Sequence, residues 1–192
     1  PATAAADHIV VQLRLRGVLA STDGPDDNVL KIKPPMVFGP DEAAILLAEG
    51  GEACVAGVGL NPTRTGFLHV MARMGASIAA TDEEAPFGEP IGDLVTRPAA
   101  LRGVVVEPEE VPGIIDEIPM LACLAARAEG ESRFEGVGEL RVKESDRLAL
   151  IVRNLRAVGV EAESQGDDLL VRGRPGPYRG RVVTDGDHRI AM

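Results

Sequence analysis

Two stretches decide the fold, Asp41-Glu-Ala-Ala-Ile-Leu-Leu-Ala-Glu-Gly50 and Asp116-Glu-Ile-Pro-Met-Leu-Ala-Cys-Leu-Ala-Ala-Arg-Ala-Glu-Gly130. Each stretch has an acidic start, an apolar body and a Glu-Gly end. Because acidic residues favour the N-terminus of a helix and glycine favours its C-terminal cap, each stretch predicts a helix. Two such similar stretches in one chain predict an internal repeat.

The residues that follow each helix also correspond. Short strands are predicted at 53–58 and 132–137, and a polar loop follows each, at 60–66 and 139–147. Apolar residues at helical spacing then predict a second helix in each copy, with Phe67, Val70, Met71 and Met74 in the first and Leu148, Ile151, Val152 and Leu155 in the second. Gly75 and Gly159 are predicted to end these helices, and paired strands follow at 77–79 and 94–96, and at 160–163 and 169–172.

The pattern therefore predicts a repeated α-β-α-β-β unit. Half a copy is predicted first, with a helix at 10–16 and a strand at 30–33, and two full copies follow. A further copy begins at 187–192. Packed helices on mixed sheets place the protein in the α/β or α+β class.

Composition excludes several classes of function. The formal net charge of −10 and the absence of Trp argue against a nucleic-acid-binding protein. The longest apolar run, 118–126, is too short to span a bilayer. Cys54 and Cys123 stand singly in apolar stretches, which predicts two buried thiols in a reducing cytoplasm and no zinc site.

Three equivalent helices are predicted to begin at Asp41, Asp116 and Asp187. If the repeats pack around a pseudo-threefold axis, these helix N-termini converge, and their unpaired N–H groups favour an anion. The alternative is that each aspartate only caps its own helix.

The densest polar segment is Arg141-Val-Lys-Glu-Ser-Asp-Arg147, at a junction between a loop and a helix. Ser145 or Asp146 would cap that helix, and this is its simplest structural role. The alternating charges on a loop held by a rigid scaffold also suit a binding site, and Arg64 lies in the corresponding polar turn of the other copy. Asp116 and Glu144 would together supply two carboxylates for proton transfer.

The segment Asp187-His188-Arg189 is a third candidate. Arg189 could bind a phosphate or a carboxylate through its planar guanidinium, and the alternative is a surface ion pair with Asp187. His188 could donate a proton or be structural.

These motifs together resemble one enzyme family. The segments 60–66, 115–119, 140–147 and 187–192 look like motifs of EPSP synthases and occur in the same order. The resemblance implies two domains, each made of three βαβαββ units around a pseudo-threefold axis, with the active site between them. It implies transfer of an enolpyruvyl group from phosphoenolpyruvate to shikimate 3-phosphate, without a metal or an organic cofactor.

The resemblance also implies roles for particular residues. Asp116 looks like the acceptor of the proton of the 5-hydroxyl group of shikimate 3-phosphate, and Lys143 looks like a ligand of that substrate. Glu144 is similar to the residue that protonates the methylene carbon of phosphoenolpyruvate. Arg147 and Arg189 look like the pair that binds phosphoenolpyruvate, with His188 beside them. Arg64 is a further candidate for substrate binding.

The family is about twice as long as this chain, which predicts an incomplete polypeptide. Residues 1–37 would be the tail of the N-terminal domain, and 38–192 would be a C-terminal domain truncated at its end. The complete protein is expected to be a cytoplasmic monomer, and this chain alone is expected to be inactive. The Arg that the family shows before Asp7-His8, and its Ser pair near 38–44, are absent. The alternatives are a non-catalytic chain with the same fold and an enolpyruvyl transferase that acts on UDP-N-acetylglucosamine.

Overall fold

The computed structural model describes the backbone of residues 20–23, 29–32, 51–84 and 90–191, and the side chains of 51–80 and 90–191. The chain divides into two compact units, Pro1–Val37 and Phe38–Met192. In the first unit, β1 (Ala20–Asp23) pairs with β2 (Val29–Ile32) in an antiparallel sheet. The strand predicted at 30–33 thus lies largely in β2, whereas the helices predicted at 10–16 and 41–50 lie outside the described residues.

The second unit begins with a three-stranded sheet and one helix. Its elements are β3 (Ala53–Gly59), α1 (Gly66–Arg73), β4 (Ser77–Glu84) and β5 (Ile91–Arg97). The strand order is β3-β5-β4, and both pairings are antiparallel. Phe67, Val70 and Met71 are buried on one face of α1, as the helical spacing of these apolar residues predicts.

A larger sheet follows and repeats this arrangement. Its elements are β6 (Val105–Val106), α2 (Ile118–Arg127), β7 (Glu131–Phe134), α3 (Arg147–Ala157), β8 (Glu161–Gln165), β9 (Asp168–Arg172) and a short α4 (His188–Ala191). The strand order is β6-β7-β9-β8. The strands β6 and β7 are parallel and joined through α2, while the other pairs are antiparallel.

The two sheets confirm the β-α-β-β part of the predicted repeat at the level of topology. The series β3, α1, β4, β5 matches β7, α3, β8, β9, and in both copies the last strand lies between the other two. The predicted mixed α/β class is therefore confirmed. Among the described helices, none is long and apolar enough to cross a membrane.

Glycine ends two of the helices as the sequence predicts. Gly75 and Gly159 follow α1 and α3 with φ of 88° and 85°, a left-handed conformation that glycine adopts without a steric penalty. The helix α2 departs from the prediction. It begins at Ile118 instead of Asp116 and ends at Arg127, where extended Ala128 stops it before Gly130.

The two helices that flank the site pack on the larger sheet. α2 contacts α3 and β9, and α3 contacts β8 and the short 3₁₀ turn Gly138–Val142. Their common core contains the fully buried side chains Ile118, Leu121, Leu124, Phe134, Leu140 and Leu148. This packing fixes the segments before α2 and α3, which carry polar residues of the candidate site.

The prediction for the two cysteines was wrong with respect to burial. Both Cys54 and Cys123 are exposed free thiols. Cys54 lies on β3, an edge strand, and Cys123 lies on α2 between the buried Ala122 and Leu124. An apolar stretch on a helix or an edge strand has an outward side, which explains the exposure.

Candidate active site

The predicted site residues lie mainly on three segments, each of which leads into a helix. Asp116 lies just before α2, residues 143–147 connect the 3₁₀ turn to α3, and residues 187–189 lie where α4 begins. In the middle segment, Asp146 caps α3, because its carboxylate accepts the N–H of Ala149 at 2.9 Å. This cap, one of the two predicted, leaves Glu144 and Arg147 on either side of the helix start.

Arg147 lies at the centre of the cluster and is almost completely buried, with 1% of its surface exposed. Its Nε donates to Oδ2 of Asp187 at 2.8 Å, and its Nη1 lies 3.3 Å from Oδ1 of Asp116. Its Nη2 donates to Oε2 of Glu144. A buried cation needs such partners, because an unpaired charge in the interior is strongly unfavourable.

Asp187 is the most deeply buried of these carboxylates, with 2% of the residue exposed. It also accepts the hydroxyl of Ser145 at 2.8 Å and the backbone N–H of Arg189 at 2.9 Å. Burial by itself would raise the pKa of Asp187, but the hydrogen bonds from Arg147, Ser145 and the Arg189 N–H outweigh it and lower the pKa to about 2. Burial acts to lower the pKa of Arg147, yet the hydrogen bond to Asp187 and the nearby carboxylates raise it above its usual value.

Asp116 connects the two arginines of the site. Its Oδ1 contacts Arg147, and its Oδ2 lies 3.6 Å from Nη2 of Arg189. The surface ion pair considered between Arg189 and Asp187 is not formed, because Asp187 is buried against Arg147 and holds only the backbone N–H of Arg189. Two of the three predicted helix starts, at Asp116 and Asp187, therefore meet at Arg147, while Asp41 lies outside the described residues.

Glu117, next to Asp116, is a buried carboxyl group with 8% of its surface exposed. Burial raises the pKa of Glu117, and the charge of Asp116 raises it further. The positive charges of Arg189 and Arg64 oppose this shift, and so Arg64 lies near enough to influence the cluster.

Three other predicted residues do not contact Arg147. The Lys143 ammonium pairs with Glu139 in the 3₁₀ turn. Arg64 is exposed in the turn before α1, which Asn61 closes by accepting the Thr63 N–H at 2.9 Å and the Arg64 N–H at its backbone carbonyl at 2.8 Å. His188 is exposed, and its ring forms no hydrogen bond or ion pair with the part of the chain that the structure describes.

A separate groove lies at the other end of α3 and holds none of the predicted site residues. It encloses about 460 Å³ and is lined by Glu131, Arg156, Gly159, Val160, Glu161, Ala162, Glu163, Leu170 and Arg172. Its rim is already paired, because Arg172 forms ion pairs with Glu131 and Glu161. The predicted residues Asp116, Glu144 and Arg189 lie in the Arg147 cluster instead.

The arrangement suits proton transfer beside an anion. Asp116 and Glu144 are held on the two Nη nitrogens of one guanidinium, so two carboxylates, a residue type that can transfer protons, lie next to each other. Their side chains are 30% and 58% exposed, whereas that of Asp187 is fully buried. The carboxylates of Asp116 and Glu144 thus face solvent, and the carboxylate of Asp187 faces the core.

Sequence reasoning missed Asp187, Ser145 and Glu117 as members of this cluster. From the sequence, Asp187 is a helix start or a surface partner of Arg189, Ser145 is a possible helix cap, and Glu117 has no role. The available signal was the position of each beside a predicted site residue, since Ser145 follows Glu144, Asp187 precedes His188 and Glu117 follows Asp116.

Comparisons with known proteins agree with the motifs. The model of the family described as EPSP synthase (3-phosphoshikimate 1-carboxyvinyltransferase) matches residues 42–192. A 3-phosphoshikimate 1-carboxyvinyltransferase from Gluconobacter oxydans is 51% identical over 150 residues, which cover 78% of this chain and 34% of the relative. The protein of the same name from Thermus thermophilus is 51% identical over 149 residues, 78% of this chain and 35% of the relative. The chain thus spans about a third of the length of the curated relatives it matches.

Solved structures support the same assignment. EPSP synthase from Acinetobacter baumannii superposes with a TM-score of 0.74 and 34% identity, over 78% of this chain and 36% of that one. The enolpyruvyl transferase NikO from Streptomyces tendae, at 18% identity, matches with a TM-score of 0.54 over 91% of this chain and 40% of that one, and shows a shared fold only. The chain belongs to the EPSP synthase family.

Proposed function

We propose that this chain carries part of the active site of a 3-phosphoshikimate 1-carboxyvinyltransferase. The reaction is transfer of the enolpyruvyl group of phosphoenolpyruvate to the 5-hydroxyl of shikimate 3-phosphate, with release of phosphate. Membership of the family supports the proposal, and the observation that carries it is the pairing of Asp116 and Glu144 on the guanidinium of Arg147.

The chemistry requires both an acid and a base. Addition of an alcohol to the enol double bond puts a proton on carbon and removes a proton from oxygen. Elimination of phosphate from the resulting tetrahedral adduct removes a proton from the methyl carbon, re-forms the carbon–carbon double bond and breaks the bond to phosphate, which takes up a proton as it leaves. Asp116 would accept the hydroxyl proton and Glu144 would protonate the methylene carbon, and their adjacent positions suit this exchange of roles.

The cations would bind the anionic groups of the substrates. Arg147 and Arg189 would hold the phosphate and carboxylate of phosphoenolpyruvate, which stabilises charge as it develops. Arg189 is the more available of the two, because its contact with Asp116 is 3.6 Å and it has a partly exposed side chain. Lys143 would bind shikimate 3-phosphate after leaving Glu139, and Arg64 and His188 would lie at the edge of the substrates.

The site would be completed by a domain outside the described residues. Under this proposal, 1–37 belong to the N-terminal domain and 38–192 to the C-terminal domain of a monomeric cytoplasmic enzyme. The division of the chain after Val37 supports that boundary. The site of this chain alone would lack the groups of the other domain, so the isolated 192 residues are expected to show no turnover.

Phosphate release from phosphoenolpyruvate tests the proposal in the complete polypeptide that carries this chain. Release is expected with shikimate 3-phosphate and not with UDP-N-acetylglucosamine, and Asp116→Asn and Glu144→Gln should each reduce kcat at least 100-fold, following the usual scale of acid–base catalysis. Glu129→Gln, an exposed carboxylate outside the Arg147 cluster, is the matched control and should keep full activity. Release only with UDP-N-acetylglucosamine, or with neither acceptor, would contradict the proposal.

A further inference from the structure

We infer that Asp187 is a positioning residue that orients both arginines of the site and thereby controls affinity for the anionic donor. The inference rests on the proposed function for its substrate, phosphoenolpyruvate. Its structural basis is that one carboxylate contacts the side chain of Arg147 and the backbone of Arg189.

The two oxygens of Asp187 have separate partners. Oδ2 accepts the Nε–H of Arg147 and the hydroxyl of Ser145, both at 2.8 Å, and Oδ1 accepts the N–H of Arg189 at 2.9 Å. The carboxylate therefore ties the start of α3 to the start of α4. A change at Asp187 should displace both arginines together.

The hydrogen-bond partners of the Arg147 guanidinium show why its orientation matters. A guanidinium has five N–H donors. One is used by Asp187, one by Asp116 and one by Glu144. Two hydrogens, one on each Nη, have no partner among the described residues, and the bond to Asp187 at Nε fixes the direction in which they point.

Asp187 differs from the other two carboxylates in its freedom to move. Glu144 and Asp116 are partly exposed, so water or a substrate can reach either carboxylate, and Arg147 keeps Asp187 as a partner if one of them turns away. The side chain of Asp187 has no exposed surface, and movement away from Arg147 would leave its buried carboxylate without a cation. We therefore assign Asp187 as the fixed anchor, while Asp116 and Glu144 remain available for proton transfer.

Steady-state kinetics of the complete polypeptide test this role. Asp187→Asn keeps the shape but loses the charge, and we expect the KM for phosphoenolpyruvate to rise about 10- to 100-fold, as for loss of a hydrogen bond to a charged group. The KM for shikimate 3-phosphate should change less than about threefold. Asp185→Asn, an exposed carboxylate two residues away, is the matched control and should leave both constants unchanged.

NMR of the 192-residue chain tests the geometry without any turnover. With ¹⁵N-labelled arginine, the Nε–H signal of Arg147 should exchange slowly with solvent in the wild type and in Asp185→Asn, and rapidly in Asp187→Asn.

If Asp187→Asn fails to fold, Ser145→Ala replaces it. This variant keeps the carboxylate but removes one of its donors, and should raise only the KM for phosphoenolpyruvate, by about two- to fivefold.

The outcomes separate the two proposals. A wild type without turnover would overturn the proposed function. Wild-type turnover with an unchanged KM for phosphoenolpyruvate in Asp187→Asn, or an equal rise in both KM values, would overturn the positioning role alone. A slowly exchanging Arg147 Nε–H in Asp187→Asn would also overturn it.

Discussion

The buried carboxylate of Asp187 makes the stability of this chain depend on pH in a defined way. Its pKa is lowered from an ordinary 3.8 to about 2 in the folded state. The unfolded state therefore binds a proton more tightly than the folded state between these values, so acid favours unfolding. The stabilisation is fully present above the unfolded pKa and is lost as the pH falls through about 2.

The size of the effect follows from the shift. The lowering of the pKa from 3.8 to about 2 corresponds to about 2 kcal/mol in the free energy of unfolding at neutral pH. Because the loss is gradual, about 1 kcal/mol of it should disappear between pH 7 and pH 3. The side chain has no exposed surface, so solvent screens this contribution much less than it screens a surface ion pair.

Urea unfolding of the wild type and of Asp187→Asn at pH 7, 5, 4 and 3 measures this contribution. The Asn variant should be less stable at pH 7, and the difference between the two proteins should narrow by about 1 kcal/mol at pH 3. Asp185→Asn should differ from the wild type by only a few tenths of a kcal/mol at each pH, as is usual for surface substitutions. A difference for Asp187→Asn that does not change with pH would refute the reasoning.

Three further predictions concern stability and can be checked by urea unfolding. The pKa of Glu117 is raised in the folded state, so the stability that its protonated form contributes is lost as the pH rises through the folded pKa. Glu117→Gln should therefore increase the free energy of unfolding more at pH 7 than at pH 4, and an equal effect at both values would contradict this. Asp146→Ala should cost about 1 kcal/mol by removing the cap of α3, whereas Asp146→Asn should cost little, and equal losses would argue against capping. Gly103→Ala should be strongly destabilising, since the added Cβ would lie 2.1 Å from the backbone oxygen of Glu131, while Gly113→Ala, where nothing lies within 4 Å, should be tolerated.

The elements of the fold were largely predictable from the sequence because short-range patterns specify them. Apolar residues at helical spacing marked α1 and α3, and Gly75 and Gly159 marked their ends. The boundaries were less accurate. β7 ends at Phe134, three residues before the predicted end, because Gly136 turns the chain with a φ of 67° and the N–H of Val137 bonds to Asp167 outside the strand.

Membership of the site was predictable only in part. The sequence identified Asp116, Glu144, Arg147 and Arg189, which the structure brings into one cluster. It did not indicate that Lys143 pairs with Glu139, because the two residues meet only through the 3₁₀ turn. The catalytic and binding roles of all these residues remain predictions for the kinetic experiments.

The sequence by itself determined the repeated unit, the α/β class and the motifs that place the chain in its family, since each depends on residues close together in the chain. Only the tertiary structure decided the ion pairs. Asp187 is adjacent to His188 and Arg189 in sequence, yet its carboxylate pairs with Arg147, 40 residues away, and Arg189 pairs with Asp116. The physical reason is desolvation: the packing of α2, α3 and α4 buries Arg147, and a buried guanidinium requires the carboxylates that the fold brings to it.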